Sequence, residues 1–198
     1  MRIPPAGQSW QDDFATGVPP MILTGEEIHL ELRRGRITIE PFHGDQLNPN
    51  SYNYRLSPEI KICTDSLLDP IRPGEWSSIH IPDDGLVLEP HRLYLGSTIE
   101  SIGSDVYVPS LIGRSSLGRL GMFLQISADL GNLGAVHCWT LEIMVVQKLR
   151  VYPSMLAGQV SFWKPMGSVH LYSGRYDDYD DATPSRRQSH DLTRNECT

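Results

Sequence analysis

From Ile37 to Trp163 the chain is a succession of short segments rich in β-branched and apolar residues. They read ITIE, YNYRL, EIKIC, SSIHI, LVLE, RLYLGSTIE, VYVPSLIG, FLQISA, CWTLEIMVV, LRVY and QVSFW. Turn residues such as PDDG at 82 to 85, other prolines and scattered glycines separate them at spacings close to the roughly 8 to 12 residues of all-β folds. Segments this short cannot pair with themselves. They must pair with one another across a shared core, which predicts a sandwich or barrel-like subunit. At 198 residues with 39% apolar content the chain can bury one such core, so a single domain is expected.

One segment departs from this pattern. In LTGEEIHLELRRGR, Thr24 can cap, Glu27 stands at the capping-box position, Ile28 and Leu32 share a face and Gly35 can terminate. This predicts a helix over 24 to 34. Residues 1–20, rich in Pro, Gly and Asp, read as an N-terminal extension, 21–170 as the β domain and 171–198 as a C-terminal lid or tail. The tail is polar, carries acidic residues between Asp177 and Asp181, and is expected to be mobile or ordered by binding.

Charge narrows the partners. A net charge of −7 and a pI near 5.4 exclude a broad basic face for nucleic acid, but not a local anion site. There is no apolar run of about 18 residues and no secretory pattern at the N-terminus, so a cytoplasmic protein without membrane attachment is expected. Cys63, Cys138 and Cys197, odd in number and widely spaced, are expected to be reduced thiols.

Two short stretches carry chemistry. GRSSLGR, residues 113 to 119, combines a close-approach glycine, guanidinium groups that grip oxygens in pairs, and two hydroxyls. That is either a phosphate cradle or a plain surface turn. In CWTLEI, Glu142 lies between Leu141 and Ile143 and shares a strand face with Thr140. It is either a solvent-facing glutamate or a carboxyl group suited to proton transfer. Zinc chemistry lacks its ligands: His29-Leu30-Glu31 matches half of the zinc deaminase pattern, but no P-C-x-x-C follows. His137 beside Cys138 is at most a weak metal contact. Neither Ser115 nor Ser116 lies in a nucleophile elbow.

Read together, GRITIEPF at 35 to 42, NPNSYNYRL at 48 to 56, LYLGSTIE at 93 to 100, GRSSLGRLGM at 113 to 122, TLEI at 140 to 143, AGQVSF at 157 to 162 and TPSR at 183 to 186 resemble, in order, the dCTP deaminases of the trimeric dUTPase superfamily. The resemblance implies an all-β, distorted jelly-roll (β-clip) subunit with one or two short helices. It also implies a homotrimer with active sites between subunits. By the same likeness Arg114, Ser115 and Ser116 hold nucleotide phosphates, and Ser115, Arg119 and Glu142 surround the cytosine amino group and its attacking water. Ala128 meets the base through its backbone, and Gln159 contacts the nucleotide. Arg175 and Tyr176 fall on a lid, at the position of a Lys-Tyr pair. Magnesium is expected on the substrate phosphates, with no zinc. The implied reaction is hydrolytic deamination of a cytosine nucleotide, with dCTP as default; a nucleotide-binding regulatory homologue is the alternative, and a dUTPase-like pyrophosphohydrolase a weaker one.

Three departures qualify the resemblance. Where the family has a D-P-G-aromatic turn ten residues before the glutamate, this chain has Asn132-Leu133-Gly134-Ala135. In dUTPases and bifunctional relatives that aspartate helps activate the water that cleaves the triphosphate, so Asn132 predicts little pyrophosphate release. Ala135 in place of the ring predicts relaxed sugar selection. The lid reads Arg175-Tyr176 followed by DDYDDATPSR, whose acidic residues repel phosphate unless neutralised and so raise a mono- or diphosphate substrate. Asn53, where relatives usually carry aspartate, is read as structural.

Overall fold

The computed structural model describes residues 22–124, 128–173 and 181–185. The predicted extension at 1–20, and Arg175 and Tyr176 of the tail, lie outside the described residues.

The expected helix forms as α1, Gly25–Arg33. Thr24 caps it by accepting the Glu27 N–H at 3.3 Å, and Gly35, at φ +70°, turns the chain out of it. Ile28 is fully buried beneath it, with Leu32 packed against the same core. The Glu31 side chain is also buried, and it accepts hydrogen bonds from Arg34 at 2.7 Å, from Arg36 and from the Tyr107 hydroxyl at 2.9 Å. These donors, Arg36 foremost, hold its carboxyl at about 2 against the opposing effect of burial. The cluster fastens the helix to the segment around Tyr107.

Twelve strands follow among the described residues: β1 (Thr38–Glu40), β2 (Leu47–Asn48), β3 (Ser51–Arg55), β4 (Glu59–Cys63), β5 (Trp76–His80), β6 (Leu86–Leu88), β7 (Leu93–Gly103), β8 (Val108–Gly113), β9 (Met122–Leu124), β10 (Val136–Val145), β11 (Leu149–Val151) and β12 (Leu156–Trp163). A four-residue helix α2, Ser115–Gly118, lies between β8 and β9. Among the described residues each segment read from the sequence meets a strand, except that FLQISA does so only at Phe123 and Leu124, residues 125–127 lying outside the description. The two-residue β2, too short to show a period, was not legible.

A six-stranded sheet has the order β5-β4-β7-β10-β9, with β1 pairing to the far end of the long β7. A four-stranded sheet runs β2-β3-β12-β8, and β6 pairs with β11 as a separate ribbon. Described pairings are antiparallel, as expected for strands linked by short turns. Tyr52, Tyr54, Leu111, Val160 and Phe162 from the four-stranded sheet and Ile60, Ile102, Leu141 and Ile143 from the larger one form a continuous buried core. A bridge between Leu56 and Thr98 ties the sheets together. Inside this core Glu100 is held by Arg55, through its backbone N–H at 2.9 Å and its guanidinium at 2.7 Å.

Candidate active site

The arginine and serine stretch is a single helical turn. Arg114 is still extended, at φ −86° and ψ 139°, and its carbonyl accepts the N–H groups of Leu117 and Gly118. The Arg119 N–H closes onto the Ser115 carbonyl at 3.0 Å. Ser115, Ser116 and Arg119 are therefore presented outward, with Arg114 half-buried at the root. The helical turn was not legible in the sequence, because a four-residue helix leaves no periodicity.

The strand pair that leads into the turn explains a glycine outside it, Gly158. Gly113 pairs with Gly158 across β8 and β12, and a Cβ at 158 would lie 2.1 Å from the Tyr54 ring. The missing side chain lets that ring pass under the loop, where its hydroxyl donates to the Ile112 carbonyl at 3.0 Å. Gln159 pairs with Ile112 on one side and Asn53 on the other. Its Oε1 accepts from Ser51 Oγ at 3.1 Å, Ser51 in turn accepts from Asn48 at 3.2 Å, and Asn53 donates to Asn48 at 3.3 Å. Gln159 is thus oriented by a polar network at the end of the sheet that carries Arg114, and Asn53 serves that network, in line with its structural reading.

Glu142 stands on β10, between Leu141 and Ile143, both fully buried in the core. Alternation along a strand sends the Glu142 side chain to the opposite face, with Thr140 and Met144. Glu142 pairs with Leu95 on β7, and Leu95 pairs with Lys61 on β4, so lysine, leucine and glutamate form one row across three strands. α2 connects to this sheet through β9, whose Leu124 pairs with Ile143 and whose Phe123 pairs with Met144. Phe123 and Met144 are both exposed on the Glu142 face.

Residues 128–131 run beside β8. The Asp129 carbonyl accepts the Leu111 N–H at 2.7 Å, and its carboxylate accepts from Ser110 at 3.1 Å. Ala128 is exposed at the start of this segment. The turn that replaces the family's D-P-G-aromatic sequence follows. Asn132 is exposed, Gly134 takes φ +91°, and Ala135 is only 2% exposed, with its carbonyl oxygen against Gly103. The Tyr172 N–H donates to the Leu133 carbonyl at 2.7 Å and so fastens the start of the tail to this turn.

A later piece of the tail is held too. Lys61 Nζ donates to the Asp181 carboxylate and to the Ala182 carbonyl, each at 2.6 Å, and the Thr183 N–H donates to Thr140 Oγ1 at 2.9 Å. Lys61 carried no signal in the sequence, where a strand lysine reads as solvent-facing. His29, the half-match to a zinc pattern, stacks on Phe42 at 5.3 Å. Among the described residues, no three His, Cys, Asp or Glu side chains converge to hold a metal ion.

Comparison with known proteins gives the family. Residues 22–165 match the family model described as dCTP deaminase-like. The "dCTP deaminase, dUMP-forming" of Hathewaya histolytica is 45% identical over 166 residues, 83% of this chain and 96% of that protein. The "dCTP deaminase" of Rhodopirellula baltica is 40% identical over 168 residues, 84% of each. Among solved structures, the 2′-deoxycytidine 5′-triphosphate deaminase of Agrobacterium tumefaciens superposes with a TM-score of 0.59 at 21% identity, covering 73% of this chain and 48% of that one, and so shares the fold. The chain belongs to the dCTP deaminase-like family.

Proposed function

We propose that the protein hydrolyses the exocyclic C4–N bond of dCTP, giving dUTP and ammonia. The observation that carries this reading is Glu142, a half-buried carboxylate on a rigid central strand, in a chain 45% identical to a dCTP deaminase over most of its length. Glu142 takes a proton from water as the oxygen adds to C4, with negative charge developing on N3, and delivers that proton to the amino nitrogen; the C4–N bond then breaks, ammonia leaves, and the adduct's hydroxyl proton passes to N3 as the C4 carbonyl forms. Ser115 orients the water. Arg119 stabilises negative charge developing on the adduct. Arg114, Ser116 and Gln159 hold the nucleotide, whose phosphates bring magnesium with them.

The working unit is a homotrimer in this reading, with α2 of one subunit facing β10 of the next. Phe123 and Met144, apolar and exposed beside Glu142, and the exposed Leu120 and Val146 nearby suit a surface that another copy covers. Asn132 stands where the resemblance expects the aspartate of the D-P-G-aromatic turn, whereas the similar proteins of Hathewaya histolytica and Clostridium acetobutylicum are described as dUMP-forming. An amide has no basicity with which to activate water, so the reaction stops at dUTP.

Ala135 presents no ring to crowd a 2′-hydroxyl, so CTP is a substrate to set beside dCTP. Asp181 is neutralised by Lys61, which removes one source of repulsion toward a triphosphate. The test is to follow the cytosine-to-uracil absorbance change and ammonia release with dCTP, CTP, dCDP and dCMP. Ammonia from dCTP supports the reading; tight dCTP binding without turnover overturns it in favour of a regulatory protein.

A further inference from the structure

We propose that Lys61 is a positioning residue for the deaminase site: it seats residues 181–183 on the sheet face that carries Glu142. The geometry is a consequence of register. Lys61, Leu95 and Glu142 are directly paired neighbours on β4, β7 and β10, so their side chains leave the same face, with Thr140 and its partner Ser97 in the adjoining row. The tail crosses this face. At one side Lys61 grips both the Asp181 carboxylate and the Ala182 carbonyl; at the other, Thr140, two residues from Glu142 on the same strand, accepts the Thr183 N–H.

The seat is closed. Ala182 is 1% exposed, and Leu95, although it turns away from the core, is 5% exposed. The segment also braces itself, with the Ala182 N–H donating to the Asp181 carboxylate and the Thr183 hydroxyl to the Asp181 carbonyl. A carboxylate on this tail was expected to oppose phosphate. Here Asp181 is bound to the chain's own ammonium group, and the backbone behind it becomes a wall beside Glu142. Lys61 is chemically remote from the reaction, so its effect passes through this wall, which helps retain the nucleotide rather than move protons.

The inference rests on the deaminase reading for its kinetic part only. The structural part is tested by amide hydrogen exchange of the unliganded wild type and of Lys61→Met. The Thr183 amide should be protected in the wild type and exchange at least about tenfold faster in Lys61→Met, with Lys61→Arg restoring protection. Exchange unchanged by Lys61→Met overturns the proposal whether or not the protein turns over dCTP. In kinetics, Lys61→Met should lower kcat/KM for dCTP about tenfold, chiefly through KM, with kcat within about threefold of wild type. Lys61→Arg and the reciprocal pair Lys61→Glu with Asp181→Lys should recover most of the loss. An equal fall in kcat with no change in KM, or no rescue by either variant, contradicts the assignment. An inert wild type with intact Thr183 protection counts against the deaminase reading alone and leaves the seat itself supported.

Discussion

Gly158 faces Gly113 across β12 and β8, immediately before Gln159 and Arg114, and the Tyr54 ring fills the volume that a side chain at 158 would occupy. Gly158→Ala should therefore destabilise the protein by about 1–3 kcal/mol, since the ring is fully buried and cannot yield cheaply. At roughly 2–4 °C per kcal/mol for a chain of this size, the melting temperature falls by several degrees, measurable by calorimetry. Because the ring's hydroxyl is bonded to the Ile112 carbonyl, two residues before Arg114, nucleotide affinity should fall as well.

Glu142→Gln keeps the shape of the side chain and removes its basicity. The variant should lose about 10²–10⁴-fold in kcat for ammonia release from dCTP while still binding the nucleotide. Equilibrium binding measured alongside steady-state ammonia assays checks both halves. Activity retained within tenfold would remove Glu142 from the mechanism.

With Asn132 in the turn, wild type should convert dCTP to dUTP and ammonia without releasing stoichiometric pyrophosphate. Asn132→Asp restores a carboxylate at an exposed position of the same turn, and some dUMP and pyrophosphate should then appear. Anion-exchange separation of products settles the point. Abundant dUMP from wild type would show that another group activates that water.

Glu31 makes stability depend on acid. Its carboxyl lies at about 2 in the folded chain against 4.5 as the ordinary value, with Arg36 the largest cause. A lowered folded-state value means that the contribution is fully present above pH 4.5 and is lost as the pH falls toward 2. The guanidinium groups are about half-exposed and screened, so the loss is on the order of 2 kcal/mol. Urea unfolding across this range should show the decline, and Glu31→Gln should be less stable at neutral pH and lack that part of the acid dependence.

The strands were legible because each carries enough β-branched and apolar residues to fill one half-buried stretch between turn formers. α1 was legible because Thr24 and Gly35 mark its ends chemically, as the structure bears out. The serine and arginine positions were legible only as a composition: four residues cannot display a helical period, so α2 is a property of the folded chain alone. Lys61 was invisible for a different reason. Its value depends on register across β7 and on a tail segment 120 residues away, relationships that belong to pairing rather than to any local pattern. The need for glycine at 158 depends on the Tyr54 ring, a neighbour set by strand pairing and absent from the local pattern of AGQVSF.

The bond from the Tyr172 N–H to the Leu133 carbonyl has a practical consequence for anyone recombining this chain with its relatives. Two stretches that look like separate substitution blocks in the primary structure, the Asn132–Ala135 turn and the onset of the tail, are mechanically one unit. Grafting a proline into the turn or a new tail after Trp163 changes both halves of that joint, so chimeras should exchange the two together.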